Sequence, residues 1–187
     1  MKRAFKTQVV IPGLLFLALN TLVAQTEPVG PPEDPRTWMK TMNEIEPRTL
    51  ISSVPYTITN SGSYYLTQNL TAGTNVVNGI VIQTHDVTLD MGGFILTGTT
   101  NGMCGINLSG ADNRNIIIKN GVVRGWGTAG LLLQNGMNCR LSGVTAVNNG
   151  TGPAFAAIYV GQEWDVEDCS SSLNRNAGFS IGSNSRI

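Results

Sequence analysis

The sequence predicts an all-β solenoid: a right-handed parallel β-helix with three short strands and about 25 residues per coil. Three observations carry this expectation. Five segments share a small residue followed by apolar, variable and apolar positions: "GIVI" from Gly79, "GINL" from Gly105, "GLLL" from Gly130, "AIYV" from Ala157 and "GFSI" from Gly178. Their starts lie 26, 25, 27 and 21 residues apart, a period in the range that repeat architectures use. After each of the first four come two more short β-type runs, divided by turns rich in Gly and Asn, with no run of helical length and periodicity after residue 45. A unit of three strands without a helix is neither a propeller blade nor a leucine-rich or ankyrin repeat. Three strands and tight turns instead close one triangular coil, and coils stack at about 4.8 Å, the spacing of hydrogen-bonded strands.

The N-terminal elements come before the repeat. Lys2, Arg3 and Lys6, then "VVIPGLLFLAL", then "LVA" ending at Ala24 have the layout of a secretory signal peptide over residues 1–24. The apolar run is shorter than the roughly 20 residues that span a bilayer. A secreted or cell-surface location follows as an expectation, with no integral membrane segment after signal cleavage. Residues 25–36, "QTEPVGPPEDPR", hold four prolines and read as an extended linker. Trp38, Met39, Met42 and Ile45 stand at helical spacing, so residues 37–50 are expected to form a helical cap over the solenoid end.

The solenoid itself is expected over residues 51–187. "YTIT" and "SYYLT", joined at "NSG", supply strands of a first coil. Period-2 alternation then assigns faces. On the first sheet Ile80, Ile106, Leu131, Ile158 and Phe179 point inward, leaving Val81, Asn107, Leu132, Tyr159 and Ser180 outside. On the second sheet Leu89, Ile118, Leu141 and Val166 point inward. The outer columns are Thr88, Ile117, Arg140, Asp165 and Asp90, Lys119, Ser142, Glu167. This register sets Asp90 beside Lys119 and Arg140 beside Asp165, a charge ladder that resists slippage. "GFSIGSNSRI" begins a sixth coil and reaches Ile187 in its middle. The expectation is a chain that continues, or an edge that self-association covers.

"GSYYLTQNLTAGTNVVNGIVIQTHDVTLDMGGFILTG" with "NIIIKNGVVRGWG" resembles secreted bacterial parallel β-helix proteins of the pectin-lyase-like superfamily. That resemblance implies the fold from about Ile51 onward. It also implies that the strand after the small-residue entry belongs to the saccharide-binding sheet, and that "GG", "NG" and "NN" mark the tight turn between the other two strands. It leaves activity open, because the superfamily hosts lyases, hydrolases, epimerases and adhesins. Pectinolytic members need paired or calcium-binding carboxylates on the first sheet, and the stripe here has none.

Composition narrows the remaining classes. Charged residues are 13% and sum to zero net charge, with no basic stripe, which excludes a nucleic-acid partner. Cys104, Cys139 and Cys169 are odd in number and lack metal-ligand spacing, so they read as buried thiols. The turns "QTHD", "SGADNRN", "QNGMN" and "GQEWD" should stack and bring His85, Asp86, Asp112, Arg114, Glu163 and Trp164 to one flank. Asp86 and Asp112 would be placed to share a sugar hydroxyl or a cation, calcium being the only cofactor the pattern admits. Trp164 aligns with Cys139 and Ile116, which assigns it to the core. His85 lacks a nucleophile to activate.

The ligand-contact candidates are thus His85, Asp86, Asn107, Asp112, Arg114, Tyr159 and Glu163, with no catalytic or metal-ligating set. The expected function is polysaccharide binding or structure outside the cell. The alternative is a carbohydrate-active enzyme (lyase, hydrolase or uronate epimerase) whose catalytic coils lie beyond residue 187.

Overall fold

A computed structural model describes residues 45–150 and 155–187. The signal segment, the linker and residues 37–44 of the expected cap lie outside them. The described chain is a parallel β-solenoid of about five turns with about 25 residues per turn. Its first sheet stacks Tyr56–Ile58, Asn78–Ile82, Cys104–Leu108, Ala129–Leu133, Ile158–Val160 and Phe179–Ile181, all parallel. Ile80, Ile106, Leu131, Ile158 and Phe179 face one another one coil apart. A second inward column is Ile58, Ile82, Leu108, Leu133 and Val160, each at most 2% exposed. Such columns form because a one-residue slip would turn every apolar side chain outward.

The second and third faces belong to one nine-stranded sheet. In two coils they are continuous strands, Ile116–Arg124 and Cys139–Val147. Pairing runs through the corner, with Lys119 beside Ser142 and Gly121 beside Val144. A single left-handed residue makes the bend, Asn120 at φ 58° or Gly143 at φ 62°. Asn and Gly suit it because other side chains meet the following carbonyl in that conformation. "GG" at Gly92–Gly93 and "NG" at Asn120–Gly121 therefore sit where the sequence places them. "NN" does not: Asn148 and Asn149 come after the third run, which ends at Val147.

At the N-terminal end, Thr49–Leu50 is a strand parallel to Gly62–Tyr65 rather than the end of a helix. The parallel strand pairing of the solenoid thus starts before residue 51. At the other end Phe179 and Ile181 are partly exposed, whereas Ile158 and Val160, their neighbours one coil below, are buried.

Candidate functional site

The turn entering the second sheet repeats one triplet geometry in five successive coils, from Asp86 onward. A left-handed residue is followed by an inward one and then an outward one. The left-handed column is Asp86 (φ 53°), Asn115 (54°), Asn138 (51°), Glu163 (59°) and Asn184 (60°). The inward column is Val87, Ile116, Cys139 and Trp164, aligned residue for residue. The outward column is Thr88, Ile117, Arg140 and Asp165, continued by Arg186 through a parallel bridge to Asp165.

Between the two outer columns runs a groove of about 550 Å³. Asn115, Asn138, Glu163 and Asn184 form one wall, and Ile117, Arg140, Asp165 and Arg186 the other. Cys139 and Trp164 lie beneath. The groove volume falls in the range of small-molecule sites. Trp164 is 1% exposed and donates its indole N–H to the Gly136 carbonyl at 3.2 Å, so it is floor and not a sugar platform.

Amide side chains tie the first wall together. Asn138 Nδ2 donates to Asn115 Oδ1 at 2.7 Å, and Asn115 Nδ2 donates to Asp86 Oδ1 at 2.7 Å. Asp86 Oδ2 lies 2.7 Å from His85 Nδ1. The Asn115 amide and then His85 hold the Asp86 carboxyl below its usual range. The ladder stops at Glu163, because a carboxylate has no N–H to donate to Asn138 Oδ1. Neither Glu163 nor Asn184 makes a side-chain hydrogen bond or ion pair within the described residues.

The sequence-derived candidates divide into three places. Asp86 and Glu163 share the left-handed column, three coils apart. His85, Asp86 and Arg114 meet where the Asp86 N–H donates to the Arg114 carbonyl at 3.0 Å. Asp112 and Asp86 do not share a cation-binding position: Asp112 Oδ2 accepts from Arg114 at 2.8 Å, while Asp86 is engaged by His85 and Asn115. Within the described residues no group of three His, Cys, Asp or Glu stands close enough to hold a metal ion. Asn107 and Tyr159 lie on the outer stripe of the first sheet, separated by Leu132. The Tyr159 ring stands edge-on to Phe155 at 6.0 Å.

The charge ladder is half as expected. Lys119 Nζ lies 3.3 Å from Asp90 Oδ2. Arg140 and Asp165 are in register, but Arg140 pairs diagonally with Glu167. Asp165 pairs with Arg186 at 3.2 Å. A long guanidinium stem reaches across columns, so Cα register alone does not choose its partner. Burial pushes the Asp90 carboxyl up, but the Gly92 N–H, the Asn120 amide and Lys119 together hold it below the usual range.

Lys119→Gln should therefore cost about 0.2–1 kcal/mol. Asp90→Ala, which also strips partners from Gly92 and Asn120, should cost more, about 1–2 kcal/mol. Urea denaturation of both variants checks the order. Equal losses would mean that the ion pair alone accounts for Asp90.

Asn115, Asn138 and Asn184 did not stand out as site residues in the sequence, where each reads as turn punctuation. Their signal is the repeated triplet "NII", "NCR", "EWD", "NSR", legible only after the coils are aligned. Burial raises the thiols of Cys104 and Cys139 to about 11, in keeping with inert core cysteines. No helix of the described residues is long and apolar enough to cross a membrane. No protein-family description, curated protein or solved structure matches the chain.

Proposed function

We propose that this β-solenoid is a secreted or cell-surface protein of the pectin-lyase-like group that binds polysaccharide without transforming it. The observation that carries this reading is the groove between the two outer columns. It is elongated along the solenoid axis, lined by amides, charges and one aliphatic side chain, and floored by apolar ones. A chain of sugar units presents hydroxyls at a regular repeat, and a stacked column of side chains presents hydrogen-bonding groups at a regular repeat. The signal-like residues 1–24 support export, and the coil pattern supports the group. The outer stripe of the first sheet (Val81, Asn107, Leu132, Tyr159 and Ser180) supplies no acid, base or cation for lyase or hydrolase chemistry.

Affinity electrophoresis of the full chain through gels containing individual polysaccharides tests the proposal. Retardation by at least one of them is expected, with no unsaturated product from pectate, alginate or polygalacturonate. Migration unchanged by every polysaccharide, or product accumulating with time, would overturn it. Asp90→Asn and Lys119→Gln should be retarded as much as the parent, each relative to its own mobility in a polysaccharide-free gel, since both lie outside the groove.

A further inference from the structure

We infer that the groove takes an uncharged, hydroxyl-rich polysaccharide and rejects uronate and other anionic chains. This inference rests on the polysaccharide-binding reading and specifies its ligand. Both cations lining the groove are already engaged, Arg140 by Glu167 and Arg186 by Asp165. The Glu163 side chain makes no hydrogen bond or ion pair within the described residues. Each guanidinium thus has a carboxylate partner, Glu167 reaching Arg140 from outside the groove lining, which leaves the Glu163 carboxylate as the one unpaired charge among the lining side chains. An anionic sugar would meet the Glu163 carboxylate where both guanidinium groups already have carboxylate partners, and like charges at close quarters repel.

The free groups suit hydroxyls. The Glu163 carboxylate accepts only, the Asn184 amide donates and accepts, and Asn138 Oδ1 has no side-chain donor from Glu163. A sugar hydroxyl both donates and accepts, so it satisfies all three. Ile117, 38% exposed on the opposite wall, offers an aliphatic surface to the C–H face of a pyranose ring. From Asn115 to Asn184 the groove covers three coil intervals, about 14 Å at the strand spacing, enough for a short run of sugar units. Glu163 marks the site in a second way. It holds φ 59° in a column otherwise made of Asn and Asp, the residues that tolerate this conformation best.

The decisive variant is Glu163→Asn. Asparagine fits the left-handed backbone and can donate to Asn138 Oδ1, extending the ladder by one rung. The variant should melt at or above the parent temperature while removing the carboxylate and occupying the acceptor. Affinity electrophoresis of the full chain is run with a neutral β-glucan, a neutral mannan, polygalacturonate and chitosan. The inference expects retardation by a neutral chain, none by polygalacturonate, and about a tenfold weaker retardation of Glu163→Asn, the loss of a hydrogen bond to a charged group. Asn184→Ala should weaken it as well.

Retardation by polygalacturonate or chitosan alone would overturn the ligand class and leave polysaccharide binding standing. Neutral-chain binding that survives both Glu163→Asn and Asn184→Ala would overturn the location. Failure to bind any of the four removes this inference, and failure across the wider set of polysaccharides removes the function proposed above.

Discussion

Trp126→Ala is expected to cost about 3–5 kcal/mol, the range for emptying a fully buried aromatic position. The indole is 0% exposed and fills the interior of the corner after the third face. It fits because Gly79, Gly98, Gly102 and Gly105 face it, leaving it room from neighbouring coils. A Cβ on Gly98 would overlap the indole ring, and one on Gly105 would lie 2.7 Å from the Gly130 carbonyl oxygen. Gly98→Ala alone should therefore destabilise by about 1–3 kcal/mol through overpacking. In the Trp126→Ala background the same change should cost little or restore some stability, because it enters the vacated space. Urea denaturation followed by far-ultraviolet circular dichroism measures all three variants. Additive losses would show that the glycines and the indole are not one packing unit.

Asn149→Ala should cost about 2–4 kcal/mol, for two buried backbone groups left without partners. Asn149 is 2% exposed. Its Oδ1 accepts the Trp126 N–H at 3.1 Å, and its Nδ2 donates to the Val123 carbonyl at 3.0 Å. Asn174 continues the arrangement, its Oδ1 accepting the Asn149 N–H at 2.8 Å and its Nδ2 donating to the Ala146 carbonyl at 3.0 Å. Asn149→Asp keeps the acceptor but sets a carboxylate against Val123 O and Asn174 Oδ1, so it should be at least as damaging at neutral pH. The ladder reading would fail if the aspartate variant were as stable as the parent.

Much of this architecture was legible in the sequence, for a physical reason. The small residue at the start of each first-sheet strand and the alternation after it allow one register only. Hence Ile80, Ile106 and Leu131, or Asp90 and Lys119, were paired correctly from the sequence. Features that depend on side-chain reach were not legible. Arg140 chose Glu167 over the Asp165 directly beside it. Asp112 turned to Arg114 in its own coil and not to Asp86.

Backbone sign was equally hidden. An asparagine in a turn looks the same whether it makes a bend, like Asn120, joins a ladder, like Asn115, or plugs a corner, like Asn149. The groove combines both blind spots, being built from left-handed residues on one wall and long side chains on the other. Among its residues only Glu163 was a ligand candidate from the sequence. Arg140 and Asp165 were read as parts of a charge ladder.

The amide ladder has one more consequence, which is polarity. Asn138 and Asn115 both direct their N–H groups toward Asp86, so their amide dipoles add head to tail. The positive end rests on the Asp86 carboxylate, which is consistent with the ease with which that group ionises. The negative end is Asn138 Oδ1, which meets the groove. Hydrogen bonds in a chain polarise one another, so the charge at Asp86 strengthens an acceptor two coils away. The groove acceptor at Asn138 is in this way tuned by a carboxylate that lies outside the groove lining.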